Sequence, residues 1–315
     1  MLTYLLRRFL YAAALVFAVS SASLFLTRLA PGDYAVDALG IGAGRERLAS
    51  MRAQYGLDRP FIEQYGSWLG GALRFDFGRS LAYDRPVSDV IPERAANTAL
   101  LATTALLIAT LVGLPLGVVA GSRRAGAMPT MIRIGSLALL SMPPLLTSLF
   151  LVFLAARSRW LPIGGMGAGV FGGGSMADSI RHLIVPAAAL ALPLAAMFER
   201  LQAQAMREVM GERHVLAALA RGVPRSRLVW RDAFRLALRP VASVYGLVVG
   251  TLLSGSFAVE MVTTWPGLGR LMLEALRARD VYLVAGCAAT GSVFLVCGTF
   301  LSDLALALVD PRARE

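Results

Sequence analysis

The chain has 315 residues, of which 57% are hydrophobic, and its mean hydropathy is +0.63. Soluble domains have about 45–50% apolar residues, so the composition predicts a membrane protein rather than a soluble enzyme. The formal charge is +11 and all 31 basic residues are Arg; because they lie between apolar stretches, they indicate membrane topology rather than nucleic-acid binding.

Six apolar stretches predict membrane-spanning helices. A helix needs about 20 apolar residues to cross a bilayer, because lipid offers no partners to backbone amides. In chain order the stretches are Phe9–Thr27, Thr98–Ala120, Ile134–Ala156, Leu183–Phe198, Val241–Val259 and Val281–Ser302. Pro143-Pro144 predicts a kink in the third, and the short fourth contains Pro186 and Pro193. The predicted fold class is an all-α polytopic membrane protein with six transmembrane helices.

The first stretch resembles a signal peptide in having basic residues before an apolar run. Its apolar part is longer than in a typical signal, and Leu29-Ala30-Pro31 is a poor cleavage site. We therefore expect an uncleaved membrane anchor.

The distribution of Arg predicts the orientation. With the N-terminus in the cytoplasm, the inside segments contain sixteen Arg residues and the two short outside loops contain six. Positive charge accumulates on the cytoplasmic side. Both termini are therefore predicted to be cytoplasmic.

Two long hydrophilic segments lie between the stretches. Residues 30–96, on the predicted outside, have eight Arg and nine acidic residues, and they are long enough for a small cap. Residues 199–240, on the predicted inside, have nine Arg and four acidic residues. The predicted organisation is an N-terminal end and first helix at 1–29, the cap at 30–96, and a core at 97–315 that contains the inside segment.

The chain offers no pattern for covalent chemistry, a metal or a cofactor. His182 and His214 are its two histidines, and neither belongs to a cluster with metal-ligand spacing. Cys287 and Cys297 lie about 15 Å apart on one helix, too far for a disulfide. The Gly164–Gly174 run lacks the strand and the Lys of a phosphate-binding loop, so it predicts a flexible outside loop.

Two other classes of function stay open at this point. A secondary ion-coupled carrier would need ionisable groups near mid-membrane or an inverted repeat. Glu199 and Asp303 lie instead at the ends of stretches. An intramembrane enzyme would need a catalytic dyad inside the spans, and the sequence indicates none.

The inside segment has the pattern of a short amphipathic helix. Apolar Val215, Leu216, Ala218 and Leu219 are predicted to form one side, and three Ala residues, Ala217, Ala218 and Ala220, a smooth surface. Gly222 suits a helix end that requires a left-handed residue, and Pro224 prevents continuation. A second helical stretch is predicted at Arg225–Arg239. Its Arg residues recur every four positions as a basic stripe that could contact lipid headgroups or grip a partner: Arg227, Arg231, Arg235 and Arg239.

This segment resembles the signature loop of importer permeases of the ATP-binding-cassette (ABC) class. Leu216-Ala217-Ala218 stands where the family often has Glu-Ala-Ala, Gly222 takes the Gly position and Pro240 the closing Pro. Leu216 replaces the acidic residue, and Arg239 stands where an apolar residue is usual, which nothing in the sequence explains. In the family this loop is a coupling helix that docks on the ATPase subunit. The resemblance implies that the coupling residues are Leu216, Ala217, Ala218, Arg221, Gly222 and Pro240.

Further short phrases extend the resemblance to the dipeptide, oligopeptide and nickel permeases over the whole chain. They are Tyr4–Phe9, Leu29–Asp33, Tyr55–Pro60, Asp76–Ser80, Arg85–Val87, Ser141–Pro143, Trp265–Arg270 and Asp310–Arg312. Eight phrases in order are far more specific than one.

The resemblance implies the fold, the partners and the solute class. The fold would be that of a type I ABC importer permease in a bacterial inner membrane. The partners would be two ATP-binding subunits, a second related permease and an extracytoplasmic solute-binding protein that faces residues 30–96, besides membrane lipid. No cofactor and no nucleic acid are expected. Peptides are the first expectation for the solute, and nickel or a metal chelate is the alternative.

Overall fold

The computed structural model describes residues 2–29, 32–40, 43–74, 76–123, 126–166 and 176–309. Helices dominate these residues, and one two-stranded antiparallel hairpin pairs Arg79 with Pro86 and Ser80 with Arg85. The elements in chain order are α1 (Leu2–Leu29), α2 (Tyr34–Leu39), α3 (Arg45–Gln54), α4 (Phe61–Ala72), β1 (Arg79–Ser80), β2 (Arg85–Pro86), α5 (Val87–Ser122), α6 (Ala127–Leu140), α7 (Pro144–Ser158), α8 (Met176–Met210), α9 (Arg213–Ala220), α10 (Arg225–Arg227), a π-helical turn (Leu228–Ala233), α11 (Phe234–Ala237), α12 (Arg239–Val262), α13 (Leu268–Arg277) and α14 (Val281–Val309).

Among the described residues, four helices are long and apolar enough to cross a membrane on their own. They cover Leu6–Leu29, Val87–Ser122, Ala177–Met210 and Val281–Leu301. Two bent pairs also qualify, and counting each pair as one span gives the six that the sequence predicts. The pairs are Ala127–Leu140 with Pro144–Ser158, bent by 104°, and Arg225–Ala237 with Arg239–Gly250, bent by 51°.

The break between α6 and α7 confirms the kink predicted from Pro143-Pro144. Pro144 is the first residue of α7, a position where its missing N–H costs no helical hydrogen bond. The predicted fourth span was too short: α8 has 35 residues and contains both Pro186 and Pro193. The apolar pattern identified only its central part, because both ends of α8 are polar and extend beyond the apolar run.

Contacts divide the chain into two compact units, of which the first comprises Met1–Thr98 and Pro266–Val296. Within this unit, the fully buried Asp280 connects two parts of the chain by hydrogen bonds. The Asp280 carboxylate accepts hydrogen bonds from Ser80 Oγ at 2.6 Å, Ala82 N at 3.0 Å and Leu283 N at 3.1 Å. One side chain therefore caps the start of α14 and holds the β1–β2 hairpin.

Another link in this unit joins α2 and α3. Arg52 Nε donates to Asp33 Oδ2 at 2.7 Å, and Asp33 Oδ1 caps α2 through the backbone N–H of Val36 at 3.1 Å. Burial alone would raise the pKa of Asp33, but the hydrogen bonds from Arg52 and Val36 and the positive charges of Arg52 and Arg28 together lower it.

The second unit comprises Ala99–Trp265 and the residues from Cys297 onward. α5, α8 and α12 meet at Tyr245, whose ring stacks on Phe198 with centroids 5.1 Å apart and whose hydroxyl lies 2.6 Å from Thr110 Oγ1. Fully buried Trp265 belongs to the same core. The boundaries of these units differ from the predicted division at residues 29/30 and 96/97, which concerns the sides of the membrane and stays a prediction.

Candidate functional site

The inside segment contains α9, a helix of eight residues where the sequence predicted a short amphipathic helix. Its Val215 is fully buried in an apolar cluster with Val118 of α5, Met206 and Val209 of α8, and Leu228 of the π-helical turn. Val215 thus attaches α9 to three other elements. The helix is therefore packed against the bundle rather than held only at its two ends.

The end of α9 has the geometry that the sequence predicted for Gly222. Gly222 has φ +82°, in the left-handed region. Its backbone N–H donates to the Leu219 carbonyl at 3.0 Å, and the Val223 N–H donates to the Ala218 carbonyl at 3.2 Å. This pair of bonds is a Schellman motif, which satisfies carbonyls that would otherwise lack partners. An added Cβ on Gly222 would meet no atom within 4 Å, so the requirement for Gly is conformational.

The exposed face of α9 differs in part from the predicted one. Leu216, predicted among the apolar positions, is 48% exposed, and Ala218, predicted both among those positions and on the smooth surface, is partly buried. Apart from His214, the residues that the helix exposes follow the spacing i, i+3, i+4, i+7. We define the exposed face of α9 as Arg213, Leu216, Ala217 and Ala220. The predicted pattern was wrong for Leu216, because an apolar residue of a short helix need not pack inward, whereas the partial burial of Ala218 agrees with its apolar position.

The stretch after α9 is helical as predicted, but a π-helical turn interrupts it at Leu228–Ala233. A π-turn has i→i+5 hydrogen bonds, so a spacing of four residues no longer corresponds to one α-helical turn there. Arg227, Arg231 and Arg235 are all exposed, yet their alignment as one stripe does not follow from their spacing alone.

The remaining predicted coupling residues occupy the ends of helices. Arg221 is the exposed residue that ends α9, next to Gly222. Pro240 lies in the first turn of α12, where proline is tolerated, and it follows the 51° bend. The structure therefore places all six residues in one segment, with Arg225 linking that segment to α5 through a 2.9 Å hydrogen bond from its Nη2 to the Ser122 carbonyl.

A close helix contact behind this segment was missed in the sequence. Gly113, Gly117 and Gly121 of α5 recur every four residues and face α8. A Cβ on Gly117 would lie 2.6 Å from both the Glu199 carbonyl and Gln202 Cβ, so only Gly permits this approach. The small-xxx-small spacing was the available signal, since it typifies tightly packed membrane helices.

Two polar side chains are buried at this contact. Glu199 is 2% exposed and Gln202 is fully buried. Glu199 Oε2 and both polar atoms of the Gln202 side chain have no hydrogen-bond partner in the described part of the chain. Glu199 also lines a cavity of about 650 Å³. The cavity lies beside the C-terminal part of α8, the helix that precedes α9 in the chain.

No group of three or more potential metal-ligating side chains occurs within the described residues. Cys287 is buried and Cys297 is exposed, and both are free thiols. From Gly167 to Gly174, the predicted Gly-rich loop lies outside the described residues; Gly165, just before it, donates its N–H to the Thr263 carbonyl at 2.9 Å.

Comparison with known proteins agrees with this geometry. Residues 113–315 match the family model "Binding-protein-dependent transport system inner membrane component", and residues 1–102 match that of its N-terminal part. The oligopeptide transport system permease protein AppB of Bacillus subtilis is 31% identical over 99% of both chains. The dipeptide transport system permease protein DppB of Escherichia coli is 31% identical over 100% of this chain and 99% of its own length.

The protein is thus a membrane-spanning permease component of the ABC transporter class, with the type I importer permease fold. The chain belongs to the family of binding-protein-dependent transport system inner membrane components and is a bacterial inner-membrane protein.

Proposed function

We propose that this chain forms half of the translocation pathway of a peptide importer. A second related permease forms the other half, an extracytoplasmic binding protein delivers the peptide, and two separate subunits hydrolyse ATP. The observation that carries the solute assignment is the likeness along the whole chain to AppB and DppB, whose names specify oligopeptide and dipeptide transport. No observation favours nickel or a metal chelate over peptides.

Coupling to the ATPase is assigned to α9. Three features support it: the exposed face carries small or apolar Leu216, Ala217 and Ala220, the opposite side is anchored through Val215, and the helix end is fixed at Gly222. A small-residue face lets another protein approach the backbone closely. The anchored side then transmits that partner's movement to α5 and α8.

The proposed orientation places both termini, and α9 with them, in the cytoplasm. The excess of Arg on that side supports it. With this orientation, residues 30–96 and α13 lie outside, where a binding protein would dock.

Replacing Ala217 by Glu tests the docking role. Ala217 is exposed, so the charge should not disturb folding, but it should prevent close approach of the ATPase. We expect normal membrane insertion, loss of most ATPase subunit from the purified complex, and peptide uptake reduced at least ten-fold. The matched control is Ala53→Glu in α3, also an exposed Ala and on the predicted opposite side. Normal ATPase retention and uptake in Ala217→Glu would refute the docking face.

A further inference from the structure

The cavity beside α8 combines both signs of charge. Its volume is about 650 Å³, within the range of about 300–1,000 Å³ that is usual for ligand pockets. Four Arg residues line it: Arg123 directly after α5, Arg133 of α6, and Arg200 and Arg207 of α8. Glu199 of α8 belongs to the lining of the same cavity.

None of these charges is matched within the described protein. Glu199 is 2% exposed and its Oε2 lacks a hydrogen-bond partner. The four Arg side chains are exposed and form no ion pair with a described residue. A buried carboxyl oxygen without a donor is costly, so Glu199 can accept a hydrogen bond from a ligand, and the exposed Arg residues can bind an anionic group.

One small ligand with an ammonium group and a carboxylate would meet both requirements. Glu199 and Arg207 are eight residues apart on α8, about 12 Å along the helix axis. An extended chain of two or three residues spans about 7–11 Å, and the Arg side chain reaches over the remainder. This axial spacing of the two residues suits the two termini of a short peptide, whereas the ammonium and phosphate of an ethanolamine lipid headgroup lie closer together.

We propose that this cavity binds a short peptide with free termini, its ammonium group on Glu199 and its carboxylate on Arg207 and the neighbouring Arg residues. This inference rests on the proposed function, because it assigns to this chain a subsite for the transported solute. The subsite lies at the end of α8 that leads directly to α9. Its occupancy would therefore act on α8, which shares the apolar cluster around Val215 with α9.

The test uses the whole importer in lipid nanodiscs, without its binding protein and without nucleotide. Equilibrium dialysis measures binding of radiolabelled tri-alanine, N-acetyl tri-alanine and tri-alanine amide. The wild-type complex should bind free tri-alanine saturably and each blocked peptide at least ten-fold more weakly, because each blocked form loses one charged contact. Glu199→Gln keeps the side-chain shape and should bind the free and N-acetylated peptides equally weakly.

Arg207→Gln gives an independent reading, since Arg207 is exposed and its replacement should not affect folding. This variant should lose discrimination against the amide and keep discrimination against the N-acetyl form. The control Arg227→Gln, exposed and outside the cavity, should bind like the wild type. Absence of saturable binding, or unchanged discrimination in both variants, would overturn the proposal. Peptide binding that is observed only in discs free of phosphatidylethanolamine would show that this lipid's headgroup normally occupies the cavity. That result would also overturn the proposal.

A parallel uptake assay separates this inference from the proposed function. The same complex, in proteoliposomes with its binding protein and ATP, should accumulate tri-alanine. Uptake without direct binding in nanodiscs would overturn the subsite alone. Failure of uptake would instead refute the assignment of peptides as the solute.

Discussion

Arg225 donates a hydrogen bond of 2.9 Å to the carbonyl oxygen of Ser122, which lies 103 residues earlier in the chain. Ser122 is the last residue of α5, so this carbonyl has no partner within the helix. A positive charge is also favourable at the negative end of the helix dipole. The bond fastens the segment that follows α9 to the end of α5.

Arg225→Ala should weaken the connection between the segment after α9 and the end of α5, without preventing assembly of the importer complex. The loss of one hydrogen bond to a charged group costs about 1.5–3 kcal/mol when buried and less when exposed, as here. We expect the stimulation of ATP hydrolysis by loaded binding protein to fall several-fold, with Arg225→Lys retaining part of it. Arg227→Ala, two residues on and also exposed, is the control. If both Ala variants lower this stimulation equally, the cause is the loss of positive charge and not the loss of the hydrogen bond to Ser122.

Gly222→Val should damage the end of α9. A β-branched residue is strained at φ +82°, by about 1–3 kcal/mol. Uptake and ATPase attachment should fall while membrane insertion and binding of the solute-binding protein stay normal. Gly222→Asn should retain much of the activity, because Asn tolerates the left-handed conformation.

The matched control is Gly44→Val. Gly44 has φ −61° and no atom within 4 Å of an added Cβ, so Val fits there. Uptake assays of all three variants at equal expression give the comparison. Normal transport by Gly222→Val would require the coupling assignment of residues 208–240 to be abandoned.

Gly117→Ala should destabilise the packing of α5 on α8. Its new methyl group would lie 2.6 Å from the backbone of Glu199, which cannot move aside cheaply. Overpacking of this kind costs about 1–3 kcal/mol. Thermal denaturation of the detergent-solubilised protein should therefore show a lower midpoint than in the wild type. Gly135→Ala in α6, with open space around its Cβ, should leave the midpoint unchanged or raise it.

The topology can be checked with single cysteines in a background that lacks Cys287 and Cys297. Ser67 in α4 and Ser226 in α10 are both exposed and differ from Cys by one atom. In intact cells, a membrane-impermeant maleimide should label Ser67→Cys and not Ser226→Cys. Permeabilised cells should give labelling at both positions. Labelling of Ser226→Cys in intact cells would reverse the predicted orientation.

The six membrane spans could be predicted because apolar length is a strong local signal. We could also predict the helix break at Pro143-Pro144 and the left-handed conformation of Gly222, because each depends on the backbone of only one or two residues. The helix ends were less predictable: α5 starts at Val87, well before the apolar run at Thr98, because its first turns are polar. An apolar pattern detects only the part of a helix that lies in lipid.

The tertiary features of the site could not be predicted in this way. The choice between Leu216 and Leu219 as the inward residue depends on the cluster around Val215, which comes from four elements. The π-helical turn has no signature in residue spacing. The unpartnered Glu199 was recognised as lying at the end of a span, but its burial against Gly117 depends on the close approach of α5.

The central claim is that this permease transports peptides and that separate subunits hydrolyse the ATP that drives the transport. Its most direct test is uptake into proteoliposomes that contain this chain with the permease, ATPase and binding-protein subunits that co-purify from its native membrane. Labelled peptide should accumulate only with ATP and binding protein present, and the isolated chain should show no ATPase activity above background. Accumulation of nickel but not peptide, or peptide uptake driven by an ion gradient without ATP, would contradict the claim.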